Sequence, residues 1–137
     1  APGDPARVAV LPGCSAPLPV GGRCPRAAEC YGEVTEAGGV PDAPPVPCGR
    51  RHTWEVYALG ELPAGAGAAD LPGIDAHRGV RRLCNEGTFR VVSWRLDDGW
   101  TFTVLPPRPA ALADGDRAYR CLAGRGTDAL VGPTLAR

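Results

Sequence analysis

The sequence predicts a small α+β fold in which disulfides staple a mostly antiparallel sheet. Three observations lead there. Cys14, Cys24, Cys30, Cys48, Cys84 and Cys121 give an even count, dispersed among Gly, Pro and Arg in a chain of 137 residues. That pattern reads as three disulfides formed in an oxidising compartment. Short alternating apolar runs, bounded by turn residues, predict about five to seven short strands. A single capped, apolar-faced stretch over residues 72–84 predicts one main helix, and this order of elements argues α+β.

Length allows one domain with a real core. Large apolar side chains are scarce, however: much of the 44% hydrophobic content is Ala, with one Ile, two Phe and three Trp. Three crosslinks offset that shortage, each adding about 2–4 kcal/mol by restricting the unfolded chain. Fifteen arginines balance fifteen acidic residues, and there is no lysine. A neutral domain has no long-range field to gather nucleic acid or an anionic membrane, so neither is an expected partner. No apolar run approaches the ~20 residues of a membrane-spanning helix. The chain opens Ala1-Pro2-Gly3, which reads as a processed chain or a fragment, with any tether upstream.

The elements follow in order. Residues 1–19 are rich in Pro, Gly and Ala and read as a linker-like segment, with a short strand at Arg7–Leu11. The folded domain is expected over residues 20–137. Residues 29–36 carry Tyr31 and Val34 and predict a strand. Four prolines between Pro41 and Pro47 predict an extended, unpaired approach to Cys48. Residues 52–60 are the best strand: Trp54, Val56 and Ala58 share one face, and Thr53, Glu55, Tyr57 and Leu59 the other. Asp70 is placed to cap the helix over 72–84, with Pro72 in its first turn and arginines toward its end. Residues 88–96 and 100–105 then read as a hairpin about Asp97-Asp98-Gly99. Residues 110–112 form a helical turn, 117–122 a further strand, and 129–135 close the sheet.

Several of these fragments together resemble a known family. Gly22-Arg23-Cys24 is similar to a Gly-x-Cys opening. Val46 to Val56 is similar to a Val-x-Cys-x-x-x-His-x-x-Glu-Val element, and Cys84 ends a helix. Gly115 to Cys121 is similar to a Gly-Asp-Arg-x-x-x-Cys strand, closed by Gly132-Pro133-Thr134-Leu135. In this order the motifs resemble the septum formation family of actinobacterial cell-envelope proteins over residues 20–135. The resemblance implies a secreted or membrane-tethered domain, linked by name to cell division and without an established catalytic activity. Cys14 and Cys30 are extra to the family's four cysteines. The resemblance therefore implies the pairs Cys24–Cys48, Cys84–Cys121 and Cys14–Cys30, although six cysteines alone permit fifteen arrangements.

Candidate chemistry centres on residues 48–54. Cys48-x-x-x-His52 has metal-ligand spacing, and Cys24 and Cys30 would complete four donors. Paired close ligands are missing, and oxidised thiols are spent on each other, so neither metal nor cofactor is expected. The same argument leaves no thiol for a Cys-His nucleophile. His52 has two readings. With Arg50, Arg51 and Trp54 it would form a recognition edge for a carboxylate, sugar or peptide, and Trp100, just after the turn, is a further candidate binding surface. More plainly, His52 hydrogen-bonds to a turn while Trp54 fills core. Asp97, Asp98, Asp114 and Asp116 lie beside Gly, where turn chemistry explains them better than a pair of glycosidase carboxyls. The expected function is a non-catalytic extracytoplasmic interaction or sensor domain whose partner is another envelope or secreted protein. Its alternatives are an adaptor subunit of a secreted assembly and a small cell-wall hydrolase.

Overall fold

The computed structural model describes residue 14 and residues 17–93, 95–132 and 135. The expected strand at Arg7–Leu11 and the indole of Trp94 lie outside them. The fold is α+β with three disulfides. In chain order its strands are β1 (Cys30–Tyr31), β2 (Thr35–Ala37), β3 (Val40–Asp42), β4 (Pro45–Val46), β5 (Arg51–His52), β6 (Trp54–Glu61), β7 (Thr101–Leu105), β8 (Ala118–Gly124) and β9 (Leu130–Val131). The helices are α1 (Arg78–Leu83), α2 (Glu86–Ser93) and α3 (Pro109–Ala113). Five strands form one sheet in the order β4-β1-β6-β8-β7, with every pairing antiparallel. Two small ribbons, β2-β3 and β5-β9, stand apart from it.

The Pro41–Pro47 stretch pairs where the sequence suggested it would not. β3 takes β2 as partner, and β4 pairs with β1 through Cys30↔Val46 and Tyr31↔Pro45. Proline is tolerated there because β4 is an edge strand, where a missing N–H costs no ladder bond. The terminal segment around Leu130 likewise pairs with β5 and not with the main sheet.

β6 carries the architecture. Its six residues Glu55–Gly60 are all buried, so the strand is covered on both faces. The register shifts between Val56 and Ala58, which makes Tyr57 the extra residue of a β-bulge. A one-residue shift exchanges faces for everything beyond it. Tyr57 and Ala58 therefore both enter the larger core, under the helices, with Val80, Leu83, Phe89 and Val92. Val56 and Leu59 enter a smaller core with Ala43, Leu105 and Leu122, and Trp54 packs half-buried against it. Strict alternation had put Ala58 with Val56 and Leu59 with Tyr57; the bulge swaps them.

The largest departure from the sequence reading is residues 86–93. The expected strand over 88–96 is helix α2, so the hairpin about Asp97 is a helix-to-strand connection. Asn85 explains it. Its Oδ1 accepts the Thr88 amide at 3.0 Å, an N-cap, while its Nδ2 donates to the carbonyls of Arg81 and Arg82 at the end of α1. One side chain thus ends one helix and starts the next. The helix expected over 72–84 is correspondingly shorter: Asp70 accepts from Gly67 in a 3-10 turn, a second such turn spans Ile74–Ala76, and α1 begins only at Arg78.

On α2, Thr88, Phe89, Val92 and Ser93 are buried and Val91 is 47% exposed. Phe89 is the centre of an aromatic cluster, edge-on to Tyr57 at 5.6 Å and to Phe102 at 5.2 Å, and tilted against Trp100 at 5.0 Å. Edge-to-face contacts of this kind add about 0.5–1.5 kcal/mol beyond burial.

The disulfides are Cys14–Cys24, Cys30–Cys48 and Cys84–Cys121. Only the last agrees with the pairing that the resemblance implied. Cys14 does not pair with Cys30, nor Cys24 with Cys48, because β1 runs beside β4 and brings Cys30 to the segment just before Cys48. Cys84–Cys121 joins the end of α1 to β8, locking the helical layer to the sheet. All six described cysteines are oxidised, which places the folded chain in an oxidising environment. No helix of the described residues is long and apolar enough to cross a membrane.

Helix and strand make opposite demands on Phe89 and Val91, which share a face only in a strand. Phe89→Ala is expected to cost about 3–5 kcal/mol and Val91→Ala less than about 0.5 kcal/mol, read by chemical denaturation. Comparable losses at the two positions would contradict a helix over residues 86–93.

Candidate functional site

Two polar constellations stand out. The first surrounds His52. The ring is fully buried, and Glu55 is 3% exposed. Nδ1 lies 2.8 Å from the Arg50 carbonyl and Nε2 lies 2.7 Å from Glu55 Oε1. A carbonyl only accepts, so Nδ1 carries a proton. The Leu135 amide donates to Glu55 Oε2 at 3.2 Å, which suits a carboxylate. At 2.7 Å, Nε2 and Oε1 share one proton between them. Burial alone disfavours the charged ring. The hydrogen bonds to Glu55 and to the Arg50 carbonyl, with the Glu55 charge, outweigh it and raise the His52 pKa.

This arrangement is a clasp. β5 holds His52, β6 holds Glu55, and the pair ties Leu135 to the interior across 80 positions of sequence. Thr53 supports it by accepting the Asp128 amide at 3.1 Å, and the Cys48 carbonyl accepts from Gly132. The plainer reading of His52, a turn held by its side chain, is therefore the one seen. Of the other residues proposed for binding, Arg50 and Arg51 are exposed and Trp54 is half-buried, while Trp100 is 8% exposed and belongs to the aromatic core. His52, being sealed, cannot touch a surface ligand.

The sequence places Glu55 on a strand face and in the His-x-x-Glu element without pairing it to His52, and that spacing of three is the signal for the contact. Sulfur completes the surroundings: ligating atoms of Cys30, His52 and Glu55 all lie within 4.8 Å of one another. Cys24, the other expected donor, is bound to Cys14 instead.

The second constellation is the loop over residues 95–99. Asp97 is its hub. Arg95 donates twice to its carboxylate, at 3.1 and 2.9 Å, Trp100 Nε1 donates at 3.2 Å, and Arg125 closes the set. The Arg95 and Arg125 guanidinium groups lie over the Trp100 ring at 5.2 and 5.3 Å. Arg90, on α2, donates to the carbonyls of both Arg95 and Asp97. The Arg95 hydrogen bonds, and then that from Trp100, hold the Asp97 carboxyl well below the usual range. A general acid needs the opposite shift, so Asp97 is a brace and not a proton donor. Between the braced residues, Leu96 is 92% exposed.

A native pKa above the ordinary His value means that the clasp stabilises fully below about pH 6.5 and progressively less as pH rises through the native pKa. Unfolding free energy is expected to fall with rising pH across that window, and His52→Gln is expected to remove this slope, as followed by denaturation at a series of pH values. His52→Ala, which strands a buried carboxylate, is expected to cost about 3–5 kcal/mol. No protein-family model, curated protein or solved structure matches this chain.

Proposed function

We propose that this chain is a non-catalytic interaction domain working outside the cytoplasm, at a bacterial cell envelope, where it binds another envelope or secreted protein. The observation that carries this reading is the 95–99 loop. An almost fully exposed leucine sits on a loop held by four cationic or aromatic side chains through Asp97 and two carbonyls. Single exposed apolar side chains are ordinary on protein surfaces. Leu96 differs in being presented on a braced support, which lowers the ordering cost that a partner would otherwise meet on binding. A pocket on the partner that took Leu96, rimmed by groups complementary to Arg95 and Arg125, would have the apolar-centre, polar-rim form of a protein interface.

The envelope setting rests on the oxidised cysteines together with the resemblance of residues 20–135 to the septum formation family. A role in cell division follows from that resemblance alone. The adaptor reading depends on residues 8–11, which lie outside the described ones. The wall-hydrolase reading calls for His52 in an open cleft beside an unpaired carboxylate, and it finds little support in a His52 that is sealed and paired with Glu55.

The test is capture from envelope extracts by the immobilised protein, comparing wild type with Leu96→Asp. A surface change of this kind should leave stability within about 0.5 kcal/mol. The expected result is a discrete partner that wild type retains and the variant loses. Retention of the same partner by both would remove the loop from the interface, and release of soluble fragments from purified wall polymer by the wild type would overturn the non-catalytic reading.

A further inference from the structure

The clasp has the composition of a metal centre whose sulfur has been oxidised. Cys30 Sγ, a His52 ring nitrogen and a Glu55 carboxylate oxygen converge within 4.8 Å, all on buried residues. Cys48 is bonded to Cys30 at 2.03 Å, so its sulfur adjoins that group without being one of the atoms within 4.8 Å of one another. The histidine is prepared for ligation. Its Nδ1–H is committed to the Arg50 carbonyl, which leaves Nε2 as the nitrogen facing Glu55. A backbone carbonyl on the far nitrogen is the usual outer support of a metal-bound imidazole, because it fixes both tautomer and ring angle. Glu55 is supported in the same way by the Leu135 amide on its second oxygen. Two thiolates, one imidazole and one carboxylate are a tetrahedral donor set suited to zinc.

We propose that, when the Cys30–Cys48 disulfide is reduced, these four side chains bind one zinc ion in place of the crosslink. The chemistry balances with an external dithiol as reductant. Its thiolate attacks the sulfur of Cys48, the more exposed of the two residues, since Cys30 is 3% exposed and Cys48 intermediate. Cys30 leaves as thiolate, the second thiol of the reductant resolves the mixed disulfide, and the reductant departs as its own disulfide. Zinc then takes the two cysteine sulfurs as thiolates, Nε2 of His52 and one oxygen of Glu55. Whatever protons the thiols carry, and the Nε2 proton, go to solvent. The metal replaces the His52–Glu55 hydrogen bond with two coordinate bonds, so the tie between β5, β6 and the Leu135 segment is kept. A chain not yet oxidised would thus hold in metal-bound form the same corner that the disulfide closes later.

Cobalt(II) is the probe, because thiolate ligands give it an intense near-ultraviolet charge-transfer band and tetrahedral geometry gives strong visible bands. The protein is reduced with a phosphine and titrated with cobalt alone, beside the untreated protein. The expected result is one cobalt per chain with both sets of bands after reduction and neither before. The Cys14→Ala/Cys24→Ala variant should keep the bands, Cys30→Ala/Cys48→Ala should lose them, and His52→Gln or Glu55→Gln should each weaken binding by at least about 10-fold. Thiolate bands absent from the reduced wild type, or surviving in the Cys30→Ala/Cys48→Ala variant, would overturn the proposal. Should the His52 and Glu55 variants not fold, X-ray absorption of the zinc-loaded, reduced Cys14→Ala/Cys24→Ala variant decides. Two sulfur and two nitrogen or oxygen neighbours support the site; any other count refutes it.

Discussion

The extra residue at Tyr57 governs how the rest of the molecule packs. A strand with strict alternation would send Ala58 to the same side as Val56, and Leu59 to the same side as Tyr57. With the bulge, Tyr57 and Ala58 both lie under the helices, and Leu59 joins Val56 on the opposite side. Tyr57 can then meet Phe89 and Phe102 edge-on. Phe89 in turn contacts Trp100, whose indole N–H fixes Asp97, whose carboxylate fixes the arginines. The braced loop is thus continuous, through a chain of rings, with the centre of the sheet. Close-packed interiors transmit strain, so the loop is tied mechanically to the core.

How much of this was legible depended on whether the signal was local. β6, β7 and β8 are alternating apolar runs bounded by Gly, Pro or Asp, and their positions followed directly from period. Helix α2 did not, because Thr88, Phe89, Val91 and Val92 are strand-formers by composition. What makes them helical is Asn85, whose side chain bonds on both sides of itself, and the burial of positions 88, 89, 92 and 93 at helical spacing. Tertiary burial prevailed over propensity there. The disulfides show the same division. That all six cysteines would be oxidised was readable from their number and company. Which pairs form depends on β1 lying between β4 and β6, a fact of topology that spacing does not contain. His52 had a turn-holding reading beside a binding one, and its contact with Glu55, three residues on in the same motif, depends on how the chain turns at the β5–β6 junction.

The ion pairs divide by environment in a related way. Arg108–Asp42 and Arg23–Glu61 join half-exposed side chains on the surface, and pairs of this type contribute about 0–1 kcal/mol. Their removal would change little. The arginines around Asp97 are more shielded and share one acceptor with an indole, so they act as a unit whose parts set each other's geometry. His52 and Glu55 are buried, and removing either partner leaves the other in the interior with unmet hydrogen bonds.

The amide of Leu135 donates to a carboxylate in the interior, and the Leu135 side chain is itself only 1% exposed. The last few residues, Gly- and Pro-containing and unremarkable in composition, therefore include a working part of the core. A chain trimmed just before Leu135 would forfeit both an apolar plug and a hydrogen-bond donor that Glu55 relies on, and so would be less soundly folded than its small change in length suggests.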